Sequence, residues 1–392
     1  MKYLISLLIM SVLCADAFVG ASQTPAADNI DAYLPLLKNK KVGLTVNHTA
    51  RVGKEHLLDV LLKNGIEAVR IYAPEHGFRG TAGAGETVDH SKDEKTGIPI
   101  VSLYGNNKKP SPEQLKAIDC MVFDMQDVGT RFFTYLSTLH YVMEACAESS
   151  KELIVLDRPN PNGFYIDGPV LDTAGYRSFV GLHPIPVVHG LTLGEIALMI
   201  NGEGWLAGKS KCRLTVIPCS DYTHKSKYAL PLRPSPNLPD MQAVYLYPSL
   251  CFFEGTPMSV GRGTEFPFKV FGHPSFKGKS KYPFAFVPQS KDGKLEPLFE
   301  GKTCYGQDLR TIDVDDFVRD GLNLDLLIAS YQDYKDKTDY FKRTFTLLSG
   351  NKTLKEQIIA GKSAREIKDS WKDELERFKK IRKKYLLYAD FE

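Results

Sequence analysis

The sequence predicts an α/β fold: a parallel sheet covered on both faces, followed by a second half of different texture. Three observations carry that expectation. Short apolar runs recur through the first half, spaced so that helices fit between them. The runs are continuous rather than alternating, as strands buried on both faces must be. From about Pro231 the chain turns to loops rich in proline and aromatic residues, then strands, then a helical tail. At 392 residues it exceeds the length at which one core usually splits, so two domains or one large composite are expected.

The run over 41–46 reads as the first buried strand, and 56–64 as a helix stopped by Gly65. Further strands are expected over 68–73, 98–103, 120–123, 153–156 and 184–188, with a clear helix over 135–147. Thr192 and Glu195 form a capping box that opens a helix over 192–200. A second capping box, Ser363 with Glu366, opens the tail. There Ile367, Trp371, Leu375, Phe378, Ile381 and Tyr385 recur at helical spacing and make one apolar face. The basic run 379–384 on the other face reads as solvated surface.

The first residues read as an export signal. Lys2 precedes a mostly apolar run over 3–13, and Val19-Gly20-Ala21 offers a small-residue cleavage site before Ser22. Eleven residues are too few to span a bilayer as an ordinary helix. Lipid attachment at Cys14 is disfavoured, because Leu13 stands where a small residue is required. The mature chain, from Ser22, is expected to be periplasmic or secreted. Its six cysteines include no C-x-x-C pair, which argues against a zinc ribbon or a redox motif. A net charge of +3, without a concentrated basic excess, argues against nucleic-acid binding.

In open α/β sheets, ligands bind beyond the carboxyl ends of the strands. Here three successive strands run into polar, glycine-containing turns: Glu75-His76-Gly77-Phe78-Arg79-Gly80, Asp124-Met125-Gln126-Asp127-Val128-Gly129-Thr130-Arg131 and Asp157-Arg158-Pro159-Asn160. Acids and arginines are thereby delivered repeatedly to one sheet edge, with His189 adding a polar group after its own strand. Each acid also has a structural reading, as a cap of the following turn or, for Asp124 and Asp157, as a helix N-cap or the buried partner of Arg131 or Arg158. Gly83-Ala84-Gly85 follows a loop and lacks a third glycine, so it is no dinucleotide fingerprint. The nucleophile elbow and the Walker A loop are both absent.

The second half adds Pro234-Ser235-Pro236-Asn237, a rigid loop presenting Asn237. Glu254-Gly255-Thr256 and Gly261-Arg262-Gly263-Thr264-Glu265 frame a glycine-rich loop with an arginine and two carboxylates. Tyr245, Tyr247, Phe252, Phe253, Phe266 and Phe268 surround these loops, either as core or as walls on which a sugar could stack.

Taken together, and with His189-Gly190-Leu191-Thr192 between them, these stretches resemble the NamZ-type exo-β-N-acetylmuramidases over essentially the whole mature chain. Pro257 and Val260 depart from that family's usual Asn and Glu. The resemblance implies a Rossmann-like N-terminal domain over 22–240 and a smaller α+β domain over 241–392 that closes an active-site cleft. It implies removal of N-acetylmuramic acid from non-reducing ends of peptidoglycan fragments, with a muropeptide or disaccharide as partner and no cofactor. Glycoside hydrolysis needs a proton donor and commonly a second carboxylate. Glu75 is the expected general acid. Asp124, Asp127 and Glu265 are candidates for the second group, with His76 as its neighbour, unless the substrate's own 2-acetamido group is the nucleophile. Arg79, Arg131 and Arg262 are candidates for a bidentate grip on the lactyl carboxylate, and Asn160, His189 and Asn237 for further substrate contacts. Two rival readings are a metal-dependent hydrolase built on His76, Asp124, Asp127 and His189, and a wall-binding protein without turnover.

Overall fold

The computed structural model describes residues 23–75, 77–78, 91–290 and 297–392; the expected export signal, His76 and Arg79 lie outside them. The central sheet has six parallel strands: β1 (Lys41–Val46), β2 (Glu67–Ala73), β3 (Pro99–Ser102), β4 (Cys120–Asp124), β5 (Glu152–Leu156) and β6 (Arg213–Ile217). They lie side by side as β3-β2-β1-β4-β5-β6, and the short strand Ser91–Lys92 adds antiparallel to the free edge of β3. This is the Rossmann strand order, whose direction of travel reverses between β1 and β4. The five residues of β4 are all buried, as are the last five of β1. That explains why both strands read as unbroken apolar runs.

Helices cover both faces: α1 (Leu57–Lys63), α2 (Tyr135–Glu148) and α3 (Leu193–Glu203). The expected capping box of α3 is present, Thr192 Oγ1 accepting from Glu195 N while Glu195 Oε2 accepts from Thr192 N. Gly204, in the left-handed region at φ 68°, ends it, a conformation glycine adopts without strain. One expected strand is corrected. Residues 184–188 form no strand of the sheet; Val188 makes only isolated bridges to Thr130 and Asp167. Ile185, Val187 and Val188 are apolar because they are buried, not because they join a ladder. The sixth strand is instead β6, an edge strand whose partly exposed Arg213-Leu214-Thr215-Val216 lacks the unbroken apolar signature.

The second half begins with α4 (Met241–Leu250) and holds the antiparallel sheet of β7 (Val270–His273), β8 (Phe284–Phe286) and β9 (Cys304–Asp308), ordered β7-β9-β8. One apolar core runs from Tyr72, Met121 and Leu139 through Phe252 and Phe271 to Trp371 and Phe378, so both halves share it. A second core under α1 covers the opposite sheet face with Leu44, Leu58, Ile71 and Ile154.

The tail is two helices, α5 (Ala364–Asp369) and α6 (Lys372–Arg382), not one. Between them Trp371 turns inward, and its indole N–H donates to Asp167 Oδ1 at 3.0 Å. Arg382, expected on the solvated basic face, is fully buried. It donates twice to Gly190 O, at 3.0 and 2.7 Å, and once to Asp390 Oδ2. Further on, the Tyr388 hydroxyl donates to Asp157 Oδ2 at 2.6 Å and accepts from Cys219 N. The end of the chain thus returns to fasten the ends of β5 and β6. All six described cysteines are unpaired and buried. No described helix is long and apolar enough to cross a membrane.

Candidate active site

The strand reversal between β1 and β4 opens a crevice beyond their carboxyl ends, and polar side chains stitch its floor. Asn47, just past β1, accepts from Thr49 N and Oγ1, and Thr49 Oγ1 accepts from Gln126 N, just past β4. Near this floor lies an open pocket. The first half contributes Glu75, two residues after β2, and Phe132, Phe133, Thr134 and Tyr135, which lead into α2. The loop 235–238 adds Ser235, Asn237 and Leu238, while the second half adds Tyr247, Arg262 and Phe268. The pocket therefore lies where the two halves meet.

Three hydroxyl-bearing side chains gather around Glu75. Thr134 Oγ1 donates to Glu75 Oε2 at 2.9 Å. Thr134 directly precedes α2 with helical backbone, φ −71° and ψ −10°, and makes no side-chain cap bond. Tyr104, from the segment after β3, lies close to Glu75; burial and then the Glu75 charge push its hydroxyl up to about 12. Tyr135 is pushed above the usual tyrosine range, mainly by burial and then by Glu75.

Arg262 Nε donates to Glu254 Oε1 at 2.6 Å, and its guanidinium lies 5.3 Å from the centre of the Phe268 ring. This fixes a cation on the pocket wall. Asn237 stands half-buried on a tight turn, its N–H donating to Ser235 Oγ while Leu238 N donates to Ser235 O. Edge-to-face pairs Phe133–Tyr135, Phe132–Tyr247 and Tyr247–Phe268 hold the aromatic walls together. These rings serve as core and as pocket wall at once.

The other expected site residues are placed elsewhere. Asp124 is completely buried and takes a two-pronged grip from Arg158, Nε to Oδ1 at 2.5 Å and Nη2 to Oδ2 at 2.9 Å. Of its two candidate partners the structure selects Arg158. Arg131, also fully buried, gives its Nη groups to the carbonyls of Pro169, Ile185 and Leu348 and is not on the pocket wall. The Asn160 amide is a strut: Nδ2 donates to Leu191 O and Oδ1 accepts from Asn162 N. Gly129, at φ 78°, lies so close that a Cβ there would come within 2.1 Å of that amide. His189 is buried and pushed down to about 3 by that burial, with Nδ1 accepting from Leu191 N. Arg131, Asn160 and His189 thus bear the load of the loops instead of facing the pocket. Glu265 is exposed on the loop that carries Arg262 and is not on the pocket wall. Among the described residues, no three metal-ligating side chains stand together.

Asp127 is buried beside the crevice floor. Its Oδ2 accepts from Gly129 N at 2.6 Å, while Oδ1 has no partner among the described residues. Burial pushes this carboxyl up from 3.8 to about 7. Folding therefore favours the protonated form. The contribution to stability is complete below the unfolded value and is lost as pH rises through about 7. Asp127→Asn, which cannot ionise, is expected to remove a stability loss of roughly a few kcal/mol between about pH 4 and pH 8. Urea midpoints measured across that range check this; equal pH slopes in both proteins would contradict it.

Sequence reading missed Thr134, Tyr104 and Tyr135 as site groups. Thr134 and Tyr135 look like the start of a helix, and Tyr104 looks like part of the turn Leu103-Tyr104-Gly105. Following every parallel strand past its carboxyl end, β3 included, would have flagged Tyr104.

Fold and pocket together define a two-part α/β protein whose cleft sets a hydroxyl-held carboxyl and a fixed guanidinium among aromatic walls. The chain belongs to the NamZ exo-β-N-acetylmuramidase family: the model of that family's N-terminal part matches residues 42–242, and the C-terminal one 245–388. It is 37% identical to the peptidoglycan β-N-acetylmuramidase NamZ of Bacillus subtilis over 388 residues, covering 94% of this chain and 92% of the relative. Two crystal structures of DUF1343 family proteins from Bacteroides fragilis share the fold. One has a TM-score of 0.88 at 48% identity, covering 94% of this chain and all of that one. The other has a TM-score of 0.81 at 30% identity, covering 94% and 99%.

Proposed function

We propose that this protein is an exo-acting glycoside hydrolase that cleaves the β-glycosidic bond of N-acetylmuramic acid at the non-reducing end of peptidoglycan fragments. Family membership and the activity named for the Bacillus subtilis relative support the reaction. The observation that carries it in this chain is the pairing of Glu75 with Arg262 on one pocket wall built from both halves. Glu75 gives its proton to the leaving oxygen as the glycosidic bond breaks. Arg262, oriented by Glu254 through Nε, presents its remaining N–H groups to the lactyl carboxylate. Asn237 offers an amide to the sugar's hydroxyl or acetamido groups, and the aromatic walls cover its apolar face. Among the described residues Glu75 is the one carboxyl on the wall. The apolar run and small-residue site at the start of the sequence support export, to the periplasm or beyond.

The test uses two disaccharides of opposite order. Free N-acetylmuramic acid is expected from the β-1,4-linked disaccharide with muramic acid at its non-reducing end. None is expected from the one with N-acetylglucosamine there. Cleavage of both, or of neither, would contradict the exo-acting muramidase reading.

A further inference from the structure

Thr134, at the start of α2, donates to the carboxyl of Glu75, on the turn after β2, at 2.9 Å, and Tyr104, after β3, brings a second hydroxyl close to the same carboxyl. Hydroxyl groups are also the right chemical type for the task. A lysine can only donate and a carboxylate can only accept, whereas a hydroxyl donates to an ionised carboxylate and accepts from a protonated one. A carboxyl that loses and regains a proton in each turnover is therefore best held by hydroxyls, which keep their hydrogen bond in both states.

Resting on the reading of Glu75 as proton donor, we propose that Thr134 and Tyr104 are positioning residues that hold its carboxyl in one orientation through both protonation states. Neither transfers the proton. Their part is to keep the donating oxygen aimed at the glycosidic oxygen, and misplacement by about 1 Å costs up to about a hundredfold in rate.

The test compares Thr134→Val, Thr134→Ser, Tyr104→Phe and Glu75→Gln with the wild type, on a chromogenic β-N-acetylmuramide across the pH range. Thr134→Val is expected to lower kcat by about ten- to a hundredfold with KM little changed. Thr134→Ser, which restores the hydroxyl, is expected to return kcat to within about threefold of wild type. Loss of a donor to the ionised carboxyl should also move the alkaline limb of the pH–rate profile upward, by about one pH unit in Thr134→Val and Tyr104→Phe. Tyr104→Phe deletes only a hydroxyl, so the proposal stays testable should Thr134→Val fail to fold. If Glu75→Gln is inactive while both hydroxyl deletions keep the wild-type kcat and pH profile, the positioning role is overturned. It is also overturned if the deletions lower stability but leave the pH limb in place. Full activity in Glu75→Gln would instead sink the role of Glu75 itself, a distinct result.

Discussion

Asp124→Asn is expected to destabilise the fold by about 3–5 kcal/mol, the usual cost of removing one partner from a buried ion pair. Asp124 ends β4 with no exposed surface, and its carboxylate receives both Arg158 Nε and Nη2. Arg158 also donates to Arg51 O at 3.1 Å, so the pair ties the end of β5 to the end of β4 and to the chain beyond β1. An amide can still accept from one prong. It cannot accept both, and it leaves a guanidinium charge in the interior without a counter-charge. Urea unfolding of the two proteins measures the difference. At low temperature, where the variant is folded, turnover should persist within a few-fold, since Asp124 does not reach the pocket wall. Wild-type stability in the variant would contradict the structural role. A folded but inactive variant would return Asp124 to the chemistry.

Glu75→Gln is expected to lower kcat by about a hundred- to ten-thousandfold, the range that a positioned acid contributes. The substitution separates proton transfer from binding. Gln keeps a carbonyl oxygen that can accept from Thr134 Oγ1, has nearly the same volume, and faces the same pocket. It cannot deliver a proton to a departing glycosidic oxygen. KM should therefore stay within a few-fold of wild type, because Arg262 and Asn237 remain in place. A large rise in KM with kcat unchanged would make Glu75 a binding group.

Most of the sheet was legible in the sequence because its central strands are buried on both faces. Lys41–Val46 and Cys120–Asp124 could be read as continuous apolar runs, since nothing on either side asks for a polar residue. β6 was not legible, because an edge strand answers to solvent on part of its surface. The opposite error, at 184–188, has the same cause: apolar composition reports burial, not hydrogen-bonding partners. Arg382 shows a further limit. Its helical spacing put it on the basic face, but the tail folds back far enough to bury it against Gly190 O.

The site was legible as a region more than as a set of roles. Glu75, Asn237 and Arg262 do converge on one pocket. Asp124, Asp127, Arg131, Asn160 and His189 carry the same chemistry in the sequence, yet they are buried among backbone groups or, in Asp124, against a single arginine. A carboxylate at a strand end can cap, pair or react, and only its partners decide which. Those partners lie 34 residues away for Asp124 and 59 for Glu75, separations that no local pattern encodes.

The most direct test of the central claim is release of a chromogenic aglycone from a β-N-acetylmuramide and from the matching β-N-acetylglucosaminide, by wild type and by folded Glu75→Gln. The two substrates differ only in the lactyl ether that Arg262 is proposed to grip. Turnover of the muramide alone, lost in Glu75→Gln, is the predicted result. Equal turnover of both sugars, or an active Glu75→Gln, would contradict it.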